Sequence, residues 1–254
     1  MLKFSANISL LFTEHPILER FQAAADCGFK AVEIQFPYDE DAKLIKSAAD
    51  SAGVEIVLIN VPAGDLMQGG KGLAGMPGKE KEYQQALDLC VQYAEIIKPR
   101  CINVLAGREE NSDLHYDCHR TFIANLRHTA EVLDQMGITT VFEAVNLHDT
   151  PSFLVHNLRE QIEILEEVQH PNVMLQYDIY HMHRMGEHIC ENIFEHGHII
   201  GHIQFADAPG RAEPGTGEID FTAAFKAIED SAFNGWVGAE YNPTAGTEDS
   251  LGWL

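Results

Sequence analysis

The sequence predicts an α/β protein: a single (β/α)8 barrel domain over residues 1–254. Three observations carry that expectation. Eight β-type runs alternate with amphipathic stretches, the helical stretches repeatedly stop at a glycine, and 254 residues is the size of one such barrel. Strand–helix alternation implies a parallel sheet. No G-x-G-x-x-G follows the first strand, which weakens the open dinucleotide-binding alternative.

In chain order, the β-type runs are Lys3–Leu10, Ala31–Phe36, Glu55–Val61, Cys101–Ala106, Thr139–Val145, Val173–Asp178, Ile199–Ala206 and Trp236–Tyr241. After the first, "PILERFQAAADCG" sets Ile17, Leu18, Phe21 and Ala24 on one face and stops at Gly28. Gly53 ends the next helical stretch, and Pro99 ends the third. "DLHYDCHRTFIANLRHTAEVLDQMG" is a long helix with Leu114, Cys118, Phe122, Leu126 and Leu133 near one stripe, stopping at Gly137. Gly197 and Gly235 punctuate the approach to the last two runs, and glycine takes the left-handed stop conformation at little cost. Any final helix, in "TEDSLGWL", is very short.

Composition excludes some partners. Thirty-nine acidic against 17 basic residues give a net charge of −22, which repels phosphate backbones and anionic membranes. No apolar run approaches the length of a membrane span, and "MLKFSANISLLF" lacks the long apolar region of a signal peptide. The five cysteines, Cys27, Cys90, Cys101, Cys118 and Cys190, contain no C-x-x-C, and most sit in apolar patterns. They read as buried thiols in a reducing cytoplasm. The oligomeric state stays open.

In a barrel of this kind the active site lies at the C-terminal ends of the strands. There the fifth run carries Glu143, the sixth ends in Asp178, the seventh carries Gln204 and the eighth carries Glu240. Each could instead point outward and pair with a helix Lys or Arg, and Asp178 with His181 could be a capped turn. Four successive polar strand ends favour convergence on a cation, because a buried carboxylate needs one. Three carboxylates and an amide oxygen are hard donors, which favours Mg2+ or Mn2+, whereas Zn2+ would more often recruit histidine. His202 shares a face with Gln204 and is either a ligand or a deeper layer residue. Arg211, in the loop "DAPGRAEPGTGEIDF", either captures a carboxylate or pairs with Glu213. Gly215, Gly217 and the helix-capping Asp220 read as structural.

The segments "FSANISLLF", "FPYD", "PAGD", "PGKEKE", "QYDIYHMHRM", "GHIQFAD", "RAEPGTGEI" and "GWVGAEY" together resemble the hydroxypyruvate isomerases, within the xylose isomerase-like barrel superfamily. That superfamily also holds the tagatose and psicose 3-epimerases, and the related 2-oxo-tetronate isomerases share much of the frame. The resemblance implies a divalent metal held by Glu143, Asp178, Gln204 and Glu240. It implies that Glu143 and Glu240 double as the proton-transfer pair and that His181 and Arg211 contact the substrate. The implied reaction interconverts hydroxypyruvate and 2-hydroxy-3-oxopropanoate (tartronate semialdehyde) through an enediol, with Arg211 holding the carboxylate. Three- and four-carbon acids stay open, as does which glutamate removes the proton. The rivals are a ketose 3-epimerase on the same site, a DNA-repair endonuclease, which the net charge opposes, and a non-catalytic metal-binding protein.

Overall fold

Each short apolar run finds its hydrogen-bonding partner in the next, and the eighth returns to the first. In the computed structural model, which describes residues 2–254, the strands close a parallel barrel in sequential order. They are β1 (Phe4–Asn7), β2 (Ala31–Ile34), β3 (Glu55–Asn60), β4 (Cys101–Val104), β5 (Thr139–Glu143), β6 (Val173–Asp178), β7 (Ile200–Phe205) and β8 (Val237–Ala239). Most are shorter than the expected runs. Ile8–Leu10, for example, already turns after β1, because pairing ends where the chain leaves the wall to form the mouth.

The outer ring consists of α1 (Arg20–Asp26), α2 (Ala42–Ala52), α3 (Glu80–Ile97), α4 (His115–Asp134), α5 (Leu158–Val168), α6 (Ile179–Arg184), α7 (Ile189–His196) and α8 (Phe221–Asp230). The helical period decides what each buries. On α3, Tyr83, Ala86, Leu87, Cys90, Ala94 and Ile97 face inward. On α4, Cys118, Phe122, Leu126 and Leu133 are buried as expected, but Leu114 lies ahead of the helix and is exposed. Phe21 and Ala24 are buried on α1, while Ile17 and Leu18 fall in a preceding 3-10 turn.

The glycine stops divide. Gly28, Gly53 and Gly137 take positive φ as expected. Gly197 does not, with φ −52°: α7 ends on an ordinary right-handed turn, and the Ser231 side chain crowds its Cα. Gly235 is also outside the positive-φ set and is closed in by the Phe233 ring. At the end of α3, Lys98 adopts the left-handed conformation (φ 52°) because Pro99 cannot continue the helix. Of the cysteines, Cys90, Cys101 and Cys118 are buried, Cys27 is half-buried and Cys190 is exposed. Among the described residues, no helix is long and apolar enough to cross a membrane.

The barrel interior is not uniformly apolar. Leu58, Cys101, Val141 and Met174 fill it on the β3–β6 side. Above and beside them stand Ser5, Asn7, Glu33, Asn103, Gln176, His202 and Gln204, all buried. The pairing register slips between Val32 and Glu33 and between Leu175 and Gln176, beside two of these polar residues. Such irregularities re-aim side chains.

After a single 3-10 turn (Glu248–Ser250), the last residues return to the wall. The Trp253 ring meets Phe4 at 5.2 Å and Phe205 at 5.0 Å edge-on, and its Nε1–H donates to the Tyr241 hydroxyl at 3.0 Å. This tail therefore helps to close the seam between β1 and β8. Trp253→Ala is expected to lower unfolding free energy by about 3 kcal/mol, the low end for a large aromatic because Trp253 is half-buried. Denaturant titration checks this, and a loss below about 1 kcal/mol would mean that the tail contributes little.

Candidate active site

At the bottom of the polar layer, Glu33 and His202 form a buried pair, His202 Nε2 lying 2.8 Å from Glu33 Oε1. Burial alone would push the imidazole down, but the facing carboxylate pushes it up to about 10, so it is an imidazolium. Burial likewise pushes the Glu33 carboxyl up, and His202 with the Ser5 and Gln204 hydrogen bonds more than reverses that. His202 is thus the deeper layer residue rather than a ligand at the rim. Gly238 on β8 makes room for Glu33, since a Cβ there would stand 1.9 Å from Glu33 Oε1.

From this pair a chain of amides runs to the rim. Gln204 Nε2 donates to Glu33 Oε2 at 2.7 Å and to Glu240 Oε1 at 3.1 Å. Gln204 Oε1 accepts from Gln176 Nε2 at 2.5 Å, and Gln176 Nε2 also reaches Glu143 Oε2 at 3.1 Å. Asn103 donates to the same Glu143 oxygen. Glu240 Oε1 further accepts from Asn7 and Gln35, both at 2.9 Å. As placed, Gln204 turns its nitrogen toward Glu240, so its oxygen becomes a ligand only if the amide turns over.

The two glutamates at the rim differ. Both oxygens of Glu240 are engaged, Oε1 by the three amides and Oε2 by Arg211 at 2.6 Å. Oε1 of Glu143 accepts no hydrogen bond among the described residues and stands 3.6 Å from His181 Nε2. Asp178 serves two ends at once. Its Oδ1 caps α6, accepting from the Tyr180 and His181 backbone N–H groups, while Oδ2 stays free, 3.6 Å from His181 Nε2. The capped turn and the inward carboxylate are therefore one residue.

His181 has a defined tautomer. Its Nδ1 faces the backbone N–H of Asn146 at 3.3 Å and the Asn146 side-chain amide at 2.7 Å. The Asn146 side-chain oxygen is occupied by His148 and Asp149 N–H groups, so its nitrogen faces the ring. Nδ1 therefore accepts, and the proton sits on Nε2, aimed at Glu143 and Asp178. Burial and then Arg211 hold the imidazole well below its ordinary pKa, so it is neutral.

Arg211 follows β7 in a loop shaped by Asp207, whose carboxylate accepts from the N–H groups of Ala208, Gly215, Gly217 and Ile219. Gly215 takes φ 94°, and Asp220 caps α8, in line with the structural roles expected of both. Arg211 has φ 53°, a left-handed backbone that costs energy in a non-glycine residue and is typical of functional sites. Its guanidinium lies 5.4 Å over the Tyr180 ring. Glu213 is not its partner; Glu213 binds Thr244 instead.

The charge balance is unfavourable. Burial, then Glu240 and Asp178, hold the Glu143 carboxyl well above its ordinary pKa. Burial also raises Asp178, against Arg211 and the two cap hydrogen bonds. Burial raises Glu240 to about 7, against Arg211. One guanidinium is shared by three buried carboxylates. One candidate ligand atom each from Glu143, Asp178 and His181 lies within 4.8 Å of the others, a cluster able to hold a divalent cation. The free oxygens Glu143 Oε1 and Asp178 Oδ2 fit that role, whereas His181 presents its N–H and acts there as a donor. Glu143, Glu240, His181 and Arg211 border a cavity of about 150 Å3, lined also by Phe36, Val145 and Phe153.

Sequence reasoning missed Glu33, Gln35, Asn146, Asp207 and Arg108, the last of which also lines this cavity. Glu33 and Gln35 alternate in "AVEIQF", a period-2 signal for one polar face.

Comparison with known proteins places the chain. Residues 21–254 match the family described as xylose isomerase-like TIM barrel. The chain is 41% identical over 254 residues to an Escherichia coli protein named hydroxypyruvate isomerase, covering 100% of this chain and 98% of that one. It is 34% identical to a Cupriavidus necator 2-oxo-tetronate isomerase, with the same coverage. A solved structure from Brucella melitensis, described as an AP endonuclease of family 2, superposes with a TM-score of 0.96 at 36% identity, covering 100% and 98% of the two chains.

Glu33→Gln leaves the buried His202 imidazolium without its carboxylate. It is expected to cost about 3–5 kcal/mol in denaturant unfolding. A cost under about 1 kcal/mol would show that the pair does not organise the barrel floor.

Proposed function

Because the chain belongs to the xylose isomerase-like TIM barrel family and is an isomerase, we propose that it interconverts hydroxypyruvate and 2-hydroxy-3-oxopropanoate. The observation that carries this reading is the pair Glu143 and Glu240, buried at the rim and bordering one small cavity with Arg211 and the N–H of a neutral His181. In the forward direction a carboxylate takes a proton from C3, and the enediol forms across C2 and C3. A proton is then delivered to C2, while the hydroxyl proton passes from O3 to O2. Glu143, with one free oxygen, and Glu240, held by Arg211 and three amides, are the two proton carriers. Neutral His181 donates from Nε2 to a substrate oxygen and polarises it as charge develops. Arg211 keeps an unpaired buried Nε–H for a second substrate oxygen.

A divalent ion, Mg2+ or Mn2+, would be held first by the free oxygens of Glu143 and Asp178; Glu240 would join by giving up part of its contacts to Arg211 and the amides, and Gln204 by turning its amide away from Glu33. When bound it supplies positive charge that stabilises the enediolate. The donor set supports this, since Glu143, Asp178 and Glu240 share the single guanidinium of Arg211 as their counter-charge. A short 2-oxo-3-hydroxy acid suits the small cavity and its two arginines better than a six-carbon ketose does, which disfavours the 3-epimerase reading. The four-carbon 2-oxo acid of the Cupriavidus relative remains the alternative substrate. A nuclease, as the Brucella protein's description suggests, is opposed by the net charge of −22.

Chelation is expected to abolish turnover of hydroxypyruvate, and Mg2+ or Mn2+ to restore it. Full turnover in a sample shown by elemental analysis to be metal-free would refute the metal assignment. Glu143→Gln and Glu240→Gln each keep an oxygen and lose the basic one. Each should lose roughly 10²–10⁴-fold in kcat at saturating metal. Excess metal should rescue Asp178→Asn more than either glutamine variant. Recovery of both glutamine variants to near full activity with excess metal would make the two glutamates ligands only.

A further inference from the structure

We infer that Arg108 binds the substrate's carboxylate, leaving Arg211 to Glu240 and to the oxygens at the reacting carbons; this rests on the reading of the cavity as a site for a short 2-oxo-3-hydroxy acid. Sequence reasoning assigned the carboxylate to Arg211, but that cation is already committed. It sits 2.6 Å from Glu240 Oε2, and Glu240, Asp178 and Glu143 together stabilise its charge. A further carboxylate placed there meets three others.

Arg108 is in the opposite situation. It borders the same cavity as Glu143, His181, Arg211 and Glu240. Its Nε is buried and unpartnered, and no hydrogen bond or ion pair to its guanidinium exists among the described residues. The acids beside it in sequence are taken, Glu109 by His115 at 3.0 Å and Glu110 by Lys71 at 3.4 Å. Its backbone is fixed: its N–H donates to Lys71 O at 2.9 Å, and it bridges Phe153 on the other side. A charged fork on a rigid support, with one buried donor unpaired, gains a partner only when an acceptor arrives.

Position fits chemistry. Arg108 follows β4, four strands round the closed ring from β8, the strand that leads into Glu240. It therefore approaches the mouth from the side opposite Glu240. Leu105, Val145 and Phe153 line the cavity beside it, and an apolar wall strengthens a guanidinium–carboxylate pair. Arg108 also borders a larger groove of about 740 Å3 bounded by Lys71, Met76 and Leu114, which contains none of the rim carboxylates. The carboxylate end would thus lie toward the entrance, with the reacting carbons inward.

The test compares the wild type, Arg108→Met and Arg108→Lys, each metal-loaded, on hydroxypyruvate and on uncharged dihydroxyacetone. Binding of the non-reacting acid pyruvate is measured by calorimetry alongside. Arg108→Met should raise KM for hydroxypyruvate roughly ten- to a hundredfold with kcat within about threefold, and weaken pyruvate by the same factor. Its constants for dihydroxyacetone should stay within about twofold, and Arg108→Lys should recover part of the loss. An unchanged acid KM in Arg108→Met, equal losses on both substrates, or no acid defect in a folded Arg108→Lys when the methionine variant fails to fold would overturn the proposal. If the wild type does not turn over hydroxypyruvate, the reading of the cavity as a hydroxypyruvate site fails by itself. Pyruvate affinity then decides Arg108: a loss supports the carboxylate role, and no change refutes it.

Discussion

Three carboxylates, Glu143, Asp178 and Glu240, are buried at one end of a closed barrel, and one guanidinium is close enough to answer them. Much of the local structure follows from that imbalance. A buried carboxylate needs donors or a counter-charge. Asp178 takes the two N–H groups that begin α6, Glu240 takes three side-chain amides and Arg211, and Glu143 takes two amides on one oxygen only. The oxygens left over, Glu143 Oε1 and Asp178 Oδ2, face each other across the N–H of His181. The fold holds these groups together at a cost in repulsion, and catalysis is the reason we give for retaining them.

The support for that arrangement is layered. Below the rim, Glu33 and His202 pair and fix Gln204, and Gln204 carries the constraint to Glu240 and, through Gln176, to Glu143. Gly238 is required because Glu33 fills the space a side chain would need. Above the rim, Asp207 gathers four backbone N–H groups and so shapes the loop that presents Arg211. The Asn146 amide sets the His181 tautomer and so turns its Nε2–H toward Glu143 and Asp178. Loop residues thus define the chemistry while the strands hold it in place.

The barrel was legible because its signals are local: alternating runs, amphipathic faces and glycine stops. The polar strand ends Glu143, Asp178, Gln204 and Glu240 stand out against apolar runs for the same reason. Glu33 was harder to see, being flanked on both sides by apolar residues, although Gln35 two positions on shares its face. Asn7, Asn60 and Asn103 each fall near the end of a strand, a pattern that emerges only after the strands are brought into register. Asp207 and Arg108 left no local trace, since their roles depend on backbone groups and free space supplied by distant segments. Gly197 and Gly235 show the converse: the glycine was real as punctuation, but packing against Ser231 and Phe233, not a left-handed turn, is what the structure places there.

The three rim carboxylates lack positive charge, which a divalent cation would supply. Thermal unfolding of the chelator-treated protein against added Mn2+ tests this without reference to turnover, because a ligand that binds the folded state raises its melting temperature. A saturable rise at one Mn2+ per chain is expected in the wild type and a much weaker one in Asp178→Asn. No rise in the wild type, or an equal rise in both proteins, would contradict it.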